Sequence, residues 1–221
     1  MPKSALQIKA SIRSADFGKL GEELAELEVA GVDAVHFDVM DGRFGHEIAL
    51  GPDFISKLRK WTDLPFEAHL WVMDPHDSII QYVDAGTDLV VIHAEATEAP
   101  AIDIQHIVDL GMKAGLALNP GTELSDLQHC FSMCSLLNVM TIEPGKAGIL
   151  SNVGVDTLKR ATQIINSEGV DCLVQADGAV SFDTNALFVE SGAQSLVVGY
   201  PLFSSNDRAT IVTRMRGGIT D

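Results

Sequence analysis

Eight times along this chain a short apolar run gives way to a helical pattern, and that rhythm restricts the fold more than any other feature. The runs are QIKASI from Gln7, AVHFDV from Ala34, FEAHLWV from Phe66, LVVIH from Leu89, KAGLAL from Lys113, LLNVM from Leu136, LVQA from Leu173 and SLVVG from Ser195. Their β-branched content and lack of alternation suit strands buried on both faces of a parallel sheet. Amphipathic stretches lie between them. FGKLGEELAELEVAG sets Leu20, Leu24 and Leu27 on one face and glutamates on the other, and closes at Gly31. PDFISKLRKW opens with Pro52 at a favoured first helical position. DSIIQYVDAG ends at Gly86, VDTLKRATQIINSEG at Gly169 and NALFVESG at Gly192. Such alternation implies a closed barrel or a doubly wound open sheet. Eight units in 221 residues favour the α/β (β/α)8 barrel, and no GxGxxG follows the first strand to support the alternative. No linker-like stretch divides the chain, so one barrel domain over residues 1–221 is expected.

Charge and composition exclude several function classes. The net charge of -16 would repel a polyanion, and no basic stripe offsets it, so nucleic acid is not an expected partner. No apolar run reaches the ~18 residues a spanning helix needs, and MPKSALQIKASIRSAD lacks a signal-peptide core, so no membrane is expected either. Cys130, Cys134 and Cys172 show no metal-type spacing and read as reduced, partly buried thiols in a cytoplasmic protein. On so acidic a chain, an anionic substrate needs a locally positive pocket from a metal, helix N-termini or a few placed cations.

In a barrel of this kind, reactive groups sit at the C-terminal ends of the strands. The first strand ends with Ser11, followed by Arg13 and Ser14. The second offers His36 and Asp38, then Met40 and Asp41. The third offers His69, the fourth His93 and Glu95, the fifth Asn119 and the seventh Asp177. His36 and Asp38 are two apart, so on a strand both point to one side. With His69 and Asp177 they form a two-histidine, two-carboxylate set able to hold one divalent ion: zinc, manganese, iron or cobalt. Any one of these histidines alone would read as a core residue bonded to backbone. Four such groups at strand ends favour the metal, because an unpaired carboxylate there costs several kcal/mol.

The segments SIRSADFGKLGEEL, HFDVMDGRF, PFEAHLWVMDP, IHAEAT, GLALNPGT, VMTIEPG and QADGAV fall in the order seen in the ribulose-phosphate 3-epimerase family, and the chain resembles that family over nearly its whole length. Allulose-6-phosphate 3-epimerases share the plan. The resemblance implies a phosphate-binding TIM barrel acting on a small phosphorylated ketose, and a homodimer or homohexamer is expected. It implies metal ligands at His36, Asp38, His69 and Asp177, and proton transfer at C3 by Asp38 and Asp177 on opposite faces. The metal would hold the C2 and C3 oxygens and stabilise an enediolate. Met40 and Met140 match the family's methionines over that enediolate, and Ser11 its sugar-contacting serine. His69 also counts among the substrate-facing positions.

Departures cluster around the substrate. The family's NPGFGGQ phosphate loop reads EPGKAGI here, bringing Glu143, Lys146, Ala147 and Ile149; the second glycine of DGG is Ala179, and the terminal GS is Gly199-Tyr200. Backbone N–H groups at Gly145, Gly148, Gly178 and Gly199 could still cradle an anion. Arg13 stands in the leucine place of the family's APSILSAD, Trp71 in that of a methionine, and Arg43 within DGRFGHE. Arg13, Arg43 and Lys146 are added cations at the mouth, so retained chemistry with altered substrate choice is expected.

Two other classes compete. A lyase of the same barrel type, such as a decarboxylase or hexulose-phosphate synthase, would carry an Asp-x-Lys-x-x-Asp element that this chain lacks, and no strand-end lysine could form a Schiff base. A non-catalytic relative binding a sugar phosphate or a partner protein is the third class, and the retained His36, Asp38, His69 and Asp177 speak against lost catalysis.

Overall fold

The computed structural model describes residues 5–217. Eight parallel strands form a ring: β1 (Gln7–Ser11), β2 (Ala34–Asp41), β3 (Phe66–Trp71), β4 (Leu89–His93), β5 (Lys113–Leu118), β6 (Leu136–Met140), β7 (Leu173–Asp177) and β8 (Ser195–Val198). The ring closes because β1 pairs with both β2, Ser11 opposite His36, and β8, Lys9 opposite Val197. This is the (β/α)8 barrel expected from the eightfold rhythm, and each strand begins at the residue where its apolar run begins. A two-residue strand, Ile48–Ala49, folds back antiparallel on the end of β2.

Helices cover the outside: α1 (Leu20–Ala30), α2 (Pro52–Leu58), α3 (Ile79–Asp84), α4 (Pro100–Asp109), α5 (Gln128–Phe131), α6 (Asn152–Glu168), α7 (Asn185–Glu190), α8 (Tyr200–Phe203) and α9 (Arg208–Met215). Gly31 and Gly169 end α1 and α6 in the left-handed conformation, as their places in the sequence suggest. The main apolar core lies between strands and helices and includes Phe37, Phe66, Phe131 and Phe188. A smaller cluster of Val91, Ala117 and Leu136 lies within the ring. Among the described residues no helix is long and apolar enough to cross a membrane. All three cysteines are buried free thiols.

Inside the ring, side chains recur every second residue along each strand. The upper layer holds Ser11, Asp38, His69 and Asp177. Two residues earlier on the same strands stand Lys9, His36, Glu67 and Gln175, every one buried. The barrel therefore carries a polar floor beneath its mouth.

Candidate metal and proton-transfer site

His36 and Asp38 from β2, His69 from β3 and Asp177 from β7 converge on one point at the top of the ring. Asp38 Oδ1 lies 3.3 Å from His36 Nε2 and 3.4 Å from His69 Nδ1. Asp177 Oδ2 lies 3.5 Å from His36 Nε2 and 3.3 Å from His69 Nδ1. The two ring nitrogens are themselves 3.3 Å apart, and all four donor atoms fall within 4.8 Å of one another. Donors 3.3–3.5 Å apart, as five of these six pairs are, suit a shared cation at the ~2.0–2.2 Å bond lengths of zinc–nitrogen and zinc–oxygen contacts.

The electrostatics fit a cation as well. Burial opposes charge on His36, yet the carboxylates of Asp38 and Asp177 and the bond to Glu67 raise it well above its usual range. Burial likewise opposes charge on His69, and its bonds to Asp177 and Asp38 raise it. Burial would raise the Asp38 carboxyl, but the His36 and His69 imidazoles hold it well below the usual carboxylate range. Two buried carboxylates thus draw positive charge to this point, and a divalent ion supplies it without protonating the ligands. The donor set and its spacing fit a divalent metal.

Three of the four donors are held by further hydrogen bonds. His36 Nδ1 meets Glu67 Oε1 at 2.7 Å, and Glu67 in turn pairs with Lys9. Gln175 Nε2 donates to Glu67 Oε1 at 2.7 Å and to Asn138 Oδ1 at 3.0 Å. Asn138 Nδ2 donates to Asp177 Oδ2 at 3.0 Å, and Ser11 Oγ to Asp38 Oδ2 at 2.9 Å. Ser195 Oγ closes the network on Gln175 Oε1 at 2.8 Å. Lys9, Glu67, Asn138, Gln175 and Ser195 were not among the residues singled out from sequence. The signal that finds them is the two-residue strand period: Lys9, Glu67, Asn138 and Gln175 each stand two before a strand-end residue that was.

A pocket of about 340 Å³ opens above the four ligands. Its wall includes Asp38 and Asp177 and ten other positions marked in the sequence: Ser11, Arg13, Met40, Trp71, Met140, Ala147, Gly148, Gly178, Ala179 and Gly199, with Tyr200 at the rim. A size of this order suits a small phosphorylated sugar. Gly178 has φ 106°, and a Cβ there would sit 2.7 Å from Ile142 Cγ1; at Gly199 a Cβ would sit 2.7 Å from Ser14 Oγ. Gly178, with its positive φ and three Ile142 atoms within 3.2 Å of a Cβ, needs glycine for the backbone to line the pocket this closely, whereas at Gly199 a small shift of Ser14 Oγ would make room. A hollow of about 450 Å³ between α1 and α9 lies outside the barrel, and its one cation, Arg208, is already tied to Glu23 and Glu26.

Several sequence-marked residues stand elsewhere. His69 is wholly buried beneath the pocket rather than in its wall. Arg43 is exposed and outside the wall. Gly145 packs against His46, its Cβ position 3.2 Å from the ring, and Lys146 is exposed in a turn closed by its own N–H to Glu143 O at 2.9 Å. Of the three added cations only Arg13 reaches the pocket. Its Nη2 lies 2.9 Å from both Glu47 carboxylate oxygens, so its charge is already matched.

Comparison with known proteins agrees with this geometry. A sequence profile of the Ribulose-phosphate 3 epimerase family matches residues 7–203. The chain is 36% identical over 215 residues to the ribulose-phosphate 3-epimerase of Bacillus subtilis, covering 96% of this chain and 99% of that one. The chain belongs to this family. It is accordingly a carbohydrate epimerase of the isomerase class. The chloroplastic ribulose-5-phosphate-3-epimerase of Arabidopsis thaliana is 35% identical, covering 95% of this chain and 76% of that protein. The Escherichia coli K12 ribulose-phosphate 3-epimerase is 34% identical, with coverage of 95% and 94%. Among solved structures, 3-keto-L-gulonate-6-phosphate decarboxylase from Vibrio cholerae superposes with a TM-score of 0.73 at 12% identity, covering 99% of this chain and 100% of that one. A 3-hexulose-6-phosphate synthase gives 0.68 at 18%, covering 97% and 100%. At those identities the likeness is one of fold.

Proposed function

We propose that this epimerase-family member inverts C3 of a small ketose phosphate, the class spanning ribulose 5-phosphate and its tetrulose and hexulose analogues, with one divalent metal. The observation that carries the reading is the tight grouping of His36 Nε2, Asp38 Oδ1, His69 Nδ1 and Asp177 Oδ2 beneath a pocket of sugar-phosphate size. The four side chains hold the metal, which when bound supplies Lewis-acid stabilisation to charge developing on the substrate oxygens.

Inversion needs two proton-transfer groups, because a single base returning its own proton restores the starting configuration. Asp38 and Asp177 meet this need from two different strands, β2 and β7, which β1 and β8 separate in the ring. Ser11 Oγ steadies Asp38 Oδ2 at 2.9 Å. Among the described residues no hydrogen bond reaches Asp177 Oδ1, which leaves that oxygen open to substrate. Met40 and Met140 present apolar surface that excludes water. Gly178, Ala179, Gly148 and Gly199 offer backbone to the phosphate where side-chain contacts are missing. Trp71 and the Arg13–Glu47 pair close the wall near Met40, and we assign altered sugar preference to them. A cytoplasmic location and assembly from two or six copies belong to the same reading.

The test is solvent-deuterium exchange with metal-loaded protein. Ribulose 5-phosphate, allulose 6-phosphate and a four-carbon ketose phosphate are each incubated in D2O. Label at C3 with inversion is expected for one of them, and Asp38→Asn or Asp177→Asn should lower kcat by ~10²–10⁴-fold. Carbon–carbon cleavage without C3 label would make the protein a lyase; neither reaction would make it a binder. Ribulose 5-phosphate as best substrate at ordinary kcat/KM would remove the altered preference.

A further inference from the structure

The strand-4 histidine, His93, is not one of the four grouped donors, yet it is wholly buried directly behind one of them. His69 Nε2 and His93 Nε2 are 2.9 Å apart with the rings stacked, centroids 4.9 Å and planes 20° apart. On its other edge His93 Nδ1 lies 3.3 Å from Glu95 Oε2. The second carboxylate oxygen, Oε1, accepts from Asn119 N at 2.9 Å and from Thr122 Oγ1.

We infer that Glu95 and His93 form a positioning relay that fixes His69 as an Nδ1 ligand. The inference rests on the metal-site reading above. Proton placement along the chain follows step by step. When His69 Nδ1 gives its lone pair to a cation, the ring's proton must sit on Nε2. The nearest acceptor there is His93 Nε2, which must then be unprotonated. The His93 proton therefore sits on Nδ1 and donates to Glu95 Oε2. Each link has one consistent orientation, and a carboxylate anchors the far end.

Glu95 differs from the carboxylate behind the other histidine. Glu67 divides its two oxygens between His36 on Oε1 and Lys9 on Oε2, so a fixed cation shares that carboxylate with the imidazole. Among the described residues Glu95 accepts only from the neutral donors Asn119 N and Thr122 Oγ1 besides His93, so its charge polarises His93 and, through it, His69. The relay also links the donor set to the segment after β5 through Asn119 and Thr122.

The test uses full-length protein, stripped by chelator and titrated with zinc(II) against a chromophoric competitor. His93→Phe keeps the stacked ring and removes the acceptor; Glu95→Gln keeps an acceptor and removes the charge. Zinc Kd should rise ~10–100-fold in His93→Phe and less in Glu95→Gln. His93→Gln, whose amide oxygen can accept from His69, should recover part of the loss. Metal-free variants should melt within a few degrees of metal-free wild type, and visible bands of cobalt(II)-loaded protein should shift in His93→Phe. Zinc affinities within twofold of wild type in both variants overturn the relay alone. So does affinity loss matched by equal destabilisation of the metal-free protein, the signature of a structural role. Wild-type protein that takes up no zinc overturns the relay together with the metal site.

Discussion

Glu67 and Lys9, 58 positions apart in sequence, form an ion pair sealed inside the ring, their side chains 2% and 7% exposed. They reach each other because β1 and β3 flank β2 on either side. Burial alone would raise the Glu67 carboxyl, but Lys9 and His36 hold it well below the usual range. Removing one partner strands the other charge, so Glu67→Ala should lower the unfolding free energy of metal-free protein by about 3–5 kcal/mol. The double replacement Lys9→Met, Glu67→Gln should be far milder. Urea melts of the three proteins check this, and a single variant no less stable than the double would contradict it.

Asp41 pins two loops at the barrel mouth. Its Oδ1 accepts from Arg43 N at 2.8 Å and Phe44 N at 2.9 Å, and its Oδ2 from Met73 N at 2.9 Å. Partial burial would raise its pKa, but these backbone donors outweigh that and lower it. A carboxyl depressed in the folded state stabilises fully above its unfolded pKa of about 3.9, and that contribution is lost as pH falls through the lower folded value. Asp41→Asn should therefore cost about 1 kcal/mol at pH 7, with the gap to wild type narrowing below pH 4. Denaturant midpoints measured from pH 7 to pH 3 give the comparison.

Ala179 holds φ 51°, a left-handed conformation, beside Gly178 at the edge of the pocket. A non-glycine residue there costs roughly 1–2 kcal/mol, against the roughly 0.5–1 kcal/mol that glycine adds in chain entropy. Ala179→Gly should raise stability by on the order of 0.5–1 kcal/mol, which calorimetry would register as an increase in Tm of a few degrees. An unchanged or lowered Tm would mean the strain is relieved elsewhere.

Metal removal should be visible without substrate. A ligand at 100 times its Kd stabilises by about 2.7 kcal/mol. For a chain of this size that corresponds to roughly 5–10 °C in Tm. Excess chelator should lower the melting temperature by that amount, and added zinc or manganese should restore it. The His69→Ala variant should show no such chelator response.

The strands were legible because each is a short, mostly apolar run, and each begins where its run begins. The grouped donors were legible through the His36-x-Asp38 spacing and through strand-end placement of His69 and Asp177. Glu67 and Gln175 were harder to see. A lone polar residue in an apolar strand gains meaning only when its partner is known, and Lys9 comes from another strand. Helix α4 escaped because Ile102 and Val108 face solvent and blur its amphipathic stripe. The loop cations were ambiguous for a different reason. Arg13 and Lys146 look alike in sequence, but the chain path gives Arg13 a partner in Glu47 and leaves Lys146 in a solvent-facing turn.

The grouped donors come from the second, third and seventh strands, and this has a consequence during biosynthesis. A nascent chain that has emitted only its first three strands owns His36, Asp38 and His69 but lacks Asp177. The fourth donor arrives more than a hundred residues later, when the ring is nearly closed. On the metal-site reading, the four-donor set is complete only once the seventh strand has joined the ring, so assembly of that set and closure of the barrel coincide.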